Sequence, residues 1–125
     1  DLKNTVYLKR IADYDREAIR EAELEGMAAL DYRPAGKVFV KPNAVVAHRH
    51  DLMGDHGCTH STFLGASLIA LAGSAGVERL DVGEKSGVGF PTRMSYRYAG
   101  YYDELKQVRS RLPRPVNLYC IEETP

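Results

Sequence analysis

Cysteine is scarce in this chain. Among 125 residues only Cys58 and Cys120 occur, far apart, in a composition that is 44% hydrophobic. A chain of this size and apolar content fills its own core, so a disulfide scaffold is excluded and a reducing, cytoplasmic setting is the simpler expectation. There is no C-x₂-C-x₂-C string, which excludes a cubane iron–sulfur cluster held by this chain alone. An excess of charge is lacking too: 17 Lys and Arg balance 17 Asp and Glu. With no net field to draw a polyanion or an acidic membrane surface, nucleic acid is not an expected partner. The longest apolar-leaning run, "TFLGASLIALAGSAGV" from Thr62 to Val77, falls short of the ~20 residues of a spanning helix and is broken by Ser and Gly, so no membrane partner is expected. No charged n-region followed by an apolar h-region opens the chain, so no signal peptide is read; the chain starts on Asp1 rather than Met, consistent with a leader removed before Asp1. Internal repeats and low-complexity tracts are missing.

What is present is an alternation of strand-like and helix-like segments in a single domain spanning 1–125. "TVYLKRI" (Thr5 to Ile11) alternates and is β-rich, which predicts a first strand. Asp15 caps a helix in which Ile19, Ala22, Met27 and Leu30 recur at helical spacing. "KVFVK" (Lys37 to Lys41) predicts a second strand, stopped by Pro42, which lacks an N–H for the ladder. Thr59 or Ser61 is placed to cap a helix reaching about Ala75, with Gly76 as its left-handed C′ residue; its Phe63, Leu64, Leu68, Ile69, Leu71 and Ala72 lie nearly all round, which predicts cover on most faces. "ERLDVGE" (Glu78 to Glu84) predicts a third strand, Ser95 to Leu112 a polar-faced helix, and "PVNLYCIEE" (Pro115 to Glu123) a fourth strand. The expected fold is α/β: a mostly parallel sheet of about four strands flanked by helices, joined by right-handed crossovers.

Parallel sheets bind ligands at the carboxyl ends of their strands. Those ends carry Lys41, Asn43, Glu84 and "KSGVG", together with "AHRHDLMGDHGCTH" (Ala47 to His60), which holds all four histidines. In an extended segment His56, Cys58 and His60 point to one side, as do His48 and His50. Imidazole and thiolate together suit zinc, iron or nickel rather than magnesium or calcium, with Asp51 and Asp55 as ligands or as orienting partners. The plainer reading is a solvated connection with no joint purpose for its imidazoles, since the spacing matches no zinc-finger pattern. Lys41 and Glu84 suit acid and base roles or the binding of an anion, and Asn43 suits a substrate contact or a brace for its turn. Thr59 and Ser61 at a helix N-terminus are candidate anion donors as well as caps. Lys85, Ser86 and Gly87 are further substrate-binding candidates, although "GEKSGVG" matches neither G-x-x-x-x-G-K-[ST] nor G-x-G-x-x-G. The tyrosine-rich "RMSYRYAGYY" (Arg93 to Tyr102) is read as cover for the sheet or an interface, and Cys120 as a small core residue.

"KVFVKPNAV", "CTHSTFLGASLIALAGSAGVERLDVGEKSG" and "YAGYYDEL", in that order, resemble successive blocks of the domain-of-unknown-function family 362. Some relatives carry a ferredoxin-like module and are labelled iron–sulfur binding on that account; that module is absent here. Family chains run on well beyond "NLYCIEETP", which reads this chain as a fragment or as a sheet completed through another chain, whether a second copy or a partner. Two functions are therefore expected in competition. One is a metal-dependent enzyme or enzyme module acting on a small anionic substrate, with His48, His50, His56, Cys58 and His60 as ligands and Lys41, Asn43 and Glu84 around the substrate. The other is a non-catalytic redox-accessory or assembly domain that docks to a larger protein.

Overall fold

The computed structural model describes residues 2–45, 57–87 and 89–123. Three strands, β1 (Gly36–Val40), β2 (Val77–Glu84) and β3 (Val116–Cys120), form one open sheet in that order, and both pairings are parallel. Among the described residues four helices flank it: α1 (Arg16–Ala29), α2 (Ser61–Ala72), α3 (Thr92–Ala99) and α4 (Tyr101–Val108). This is the α/β class that the alternating pattern predicts. Among the described residues no helix is long and apolar enough to cross a membrane.

The register explains which face is core. Val38 pairs with Leu80 and Val40 with Val82 on one side of β2, and Val82 with Leu118 and Glu84 with Cys120 on the other. Paired residues of parallel strands share a face, so the apolar members form one layer against Leu64, Leu68 and Ala72 of α2, Tyr96 and Ala99 of α3, and Tyr101 of α4. On the opposite face Phe39 lies over Gly83, where a Cβ would come within 3.0 Å of its ring.

Four expectations need correction. Thr5 to Ile11 makes no ladder: it lies against α1, with the Tyr7 ring so close to Gly26 that a Cβ there would meet it at 2.8 Å. Its β-rich composition fits any half-buried extended surface, which a helix also offers; Val6 and Leu8 stay exposed. Among the described residues the sheet consequently has three strands where about four were expected. The helix expected from Ser95 to Leu112 begins at Thr92 and breaks at Gly100, whose φ of 80° no helix interior accepts; a 3₁₀ turn, Arg109–Arg111, follows α4. The cap of α2 is His60, not Thr59 or Ser61. Finally, α2 ends at Gly73 in a right-handed conformation, and Gly76 instead permits close approach of the chain before β1, accepting from Gly36 N at 2.7 Å, with 3.0 Å between a Cβ built there and Ala35 Cβ.

Candidate functional site

The carboxyl edge of the sheet is organised around one carboxylate. Glu84 ends β2 and is 6% exposed. Its Oε2 accepts from Lys41 Nζ at 2.8 Å and from Ala44 N at 3.3 Å, while Oε1 accepts from Lys85 N at 2.8 Å. Burial pushes its pKa up, but the Lys41 ammonium and the two backbone amides outweigh that, and the net shift is downward. Glu84 is thus held ionised at neutral pH. Lys41 leaves β1 just before Pro42 and keeps 57% of its side chain exposed, so it presents a cation whose position the buried carboxylate sets. An ammonium has three donors, and Glu84 takes one.

Beside this pair the chain on either side of residues 46–56 is pinned. Ala44 and Cys58 form an antiparallel bridge, Val45 N donates to Gly57 O at 3.1 Å, and Thr59 N donates to Asn43 O at 2.6 Å. Asn43 Nδ2 donates to Gly57 O at 3.2 Å, and Asn43 N donates to Thr59 Oγ1 at 2.9 Å. The Asn43 amide therefore braces the pairing of residues 43–45 with residues 57–59, and Thr59 works as a backbone partner rather than as a helix cap. Tyr101, fully buried at the start of α4, donates its hydroxyl to Thr59 O at 2.8 Å and also lies 3.3 Å from Asn43 O; burial raises its pKa, so it stays a donor.

A second polar layer lies behind. Ser86 Oγ donates to Ala44 O at 2.7 Å. Its single proton is then spent, so in the 2.6 Å contact with Ser95 Oγ the Ser95 hydroxyl is the donor. Ser86 N donates to Thr92 Oγ1, and the Glu122 carboxylate accepts from both Thr92 N, at 2.9 Å, and Thr92 Oγ1, at 2.8 Å. The start of α3 is thereby capped by a carboxylate of the same chain. Lys85, Ser86 and Gly87 line an open depression of about 800 Å³ together with Glu122 and Glu123.

Of the predicted residues, Lys41, Asn43, Thr59, Glu84, Ser86 and the backbone of Lys85 converge in one hydrogen-bonded cluster. Gly87 joins through its N–H, which donates to Val45 O at 2.6 Å. Ser61 opens α2. His60 accepts from Thr62 N at Nδ1, 3.1 Å, and stacks on Tyr14 with ring centres 3.7 Å apart. That cap needs the Nδ1 lone pair, which leaves Nε2 as the nitrogen available to a metal. Cys58 is half-buried, and neither cysteine forms a disulfide. His48, His50, His56, Asp51 and Asp55 lie outside the described residues; among the described ones no group of three or more His, Cys, Asp and Glu side chains gathers to hold a metal ion. Sequence reasoning missed Tyr101, Ser95, Thr92 and Glu122, which brace the rim. The signal for the first three is a tyrosine and hydroxyl cluster after a glycine-rich turn; Glu122, 30 residues beyond Thr92, has none.

Fold and rim together define a small α/β domain with an all-parallel sheet and a charged centre at its carboxyl edge. Comparison finds no match to the chain among family models, curated proteins or solved structures.

Proposed function

We propose that the protein is a metal-dependent enzyme or enzyme module that binds a small anionic substrate at the carboxyl edge of the sheet, and that it is related to the family its blocks resemble. The observation that carries this reading is the Lys41–Glu84 pair: a half-exposed ammonium positioned by a buried, ionised carboxylate at the edge where parallel sheets bind ligands. Glu84 acts by holding Lys41 rather than by donating a proton, since its downward shift leaves it ionised. Lys41 meets the anion. The transition metal, zinc, iron or nickel, belongs to the histidine segment; its support is the H-x-C-x-H spacing and the pinning of residues 45 and 57 beside Glu84.

The competing reading, a redox-accessory or assembly domain docked to a larger protein, draws on the second face of the sheet. Phe39 is 58% exposed there and Tyr119 40%, whereas parallel sheets are ordinarily covered on both faces.

Two measurements on the full, untagged chain separate them. Elemental analysis should find a transition metal that His56→Ala combined with Cys58→Ala removes. Inorganic phosphate, followed by calorimetry, should bind about tenfold more weakly to Lys41→Met, the loss of one charge-assisted hydrogen bond. A chain that holds no metal and binds phosphate no better than Lys41→Met overturns the reading.

A further inference from the structure

Away from the rim, a cleft of about 380 Å³ opens between the segment before α1, α1 itself and α2. Its walls are mostly apolar: Tyr7, Ile11, Ile19, Met27, Phe63 and Leu71. One acidic side chain interrupts them. Glu23 of α1 is half-buried and meets Ser67 of α2, whose Oγ lies 2.5 Å from Glu23 Oε1 and 2.9 Å from Phe63 O. The serine has a single proton for these two acceptors. Among the described residues no cation pairs with Glu23. Lys9, which also lines the cleft, gives its ammonium to Glu25 at 3.2 Å. Among the described residues the only protein donor to this carboxylate is therefore one shared hydroxyl, at the wall of a mostly apolar cleft.

Such an arrangement is under-supplied with positive charge and with donors, and both lacks can be met by one ligand. The volume falls within the range of small-molecule sites, and the pattern of apolar walls with a few polar groups is theirs. We propose that this cleft binds a small hydrophobic amine, its apolar body between Phe63, Ile19 and Leu71 and its ammonium on Glu23. Burial raises the Glu23 pKa, and an ammonium placed beside the carboxylate acts in the opposite direction, favouring the charged form.

The test uses 1-octylamine, 1-octanol and octanoate as matched probes, titrated against the full chain and followed by amide shifts in two-dimensional NMR. Octylamine should bind saturably, at least about tenfold tighter than octanol, with the largest shifts at Glu23, Ser67 and Phe63, and octanoate should bind weakest. Glu23→Gln should bring octylamine and octanol to within about twofold of each other. Phe63→Trp narrows the cleft and should weaken both by a similar factor, which keeps the proposal testable if Glu23→Gln folds poorly. Equal binding of amine and alcohol to the unaltered protein, shifts confined to other surfaces, or no saturable binding overturns it.

Discussion

At the scale of single residues, the rim is decided by which group holds which proton. Glu84 keeps its charge because two backbone amides and Lys41 aim at it, although burial works the other way. Its folded pKa therefore lies below its unfolded one. The stabilisation is fully present above the unfolded carboxyl pKa and drains away as pH falls through the lower folded value. Urea unfolding followed from pH 7 to pH 3 should show this loss, and Glu84→Gln should be less stable at pH 7 yet lose less on acidification. An equally steep acid loss in the variant would assign the effect to other carboxylates. His60 shows how far a residue's identity can be read alone. Its place in a histidine-rich segment advertised metal chemistry, while its described contacts are a helix cap and a stacked ring. A polar loop residue just before an apolar run serves either role, and spacing does not distinguish them.

At the scale of elements, breaks matter more than propensities. Asp15 and the spacing of Ile19 and Ala22 located α1 correctly, because an N-cap and a 3.6-residue apolar stripe are both local signals. The stretch from Thr92 to Val108 was less legible. Gly100 sits within a helix-like pattern and turns the chain with φ 80°, which directs Tyr96 and Tyr101 both into the core. A Cβ at Gly100 would meet nothing nearer than Ser61 Oγ at 3.6 Å, so Gly100→Ala is charged only for its left-handed backbone. Its expected cost is about 1–2 kcal/mol, read as a lowered urea midpoint. A neutral result would mean that the backbone relaxes into one continuous helix, visible as added helical ellipticity. Thr5 to Ile11 failed for the converse reason: its alternation is real, yet the partner it found is a helix face.

For the whole molecule, long-range polar contacts tie the layers together. Arg16, the first residue of α1, grips Glu104 of α4 through two 2.7 Å hydrogen bonds, and Glu104 is 4% exposed. The carboxylate packs so tightly on α2 that a Cβ at Gly65 would lie 1.9 Å from its Oε1. Arg16→Met should cost about 3 kcal/mol, since removing one partner strands a buried charge, and Arg16→Lys should recover only part because it cannot make the paired contact. Chemical denaturation measures both; a loss below about 0.5 kcal/mol for Arg16→Met would show that Glu104 finds another donor.

The sequence by itself determined the class of fold, the place of the three paired strands and the gathering of Lys41, Asn43, Thr59 and Glu84 at one edge. Alternating hydrophobic periods and Pro or Gly stops are encoded over a few neighbouring residues, and parallel connection follows from them. Only the tertiary structure decided that Glu84 is an ionised anchor, that Asn43 braces the pairing of residues 43–45 with 57–59, that Tyr101 and Ser86 hold the rim from behind, and that Glu23 lines an apolar cleft. The Asn43 contacts join positions 14 and 16 residues apart, and those of Glu84 with Lys41, Tyr101 with Thr59, Ser86 with Ala44 and Glu23 with Ser67 join positions 42 to 44 apart, separations over which no local pattern carries information.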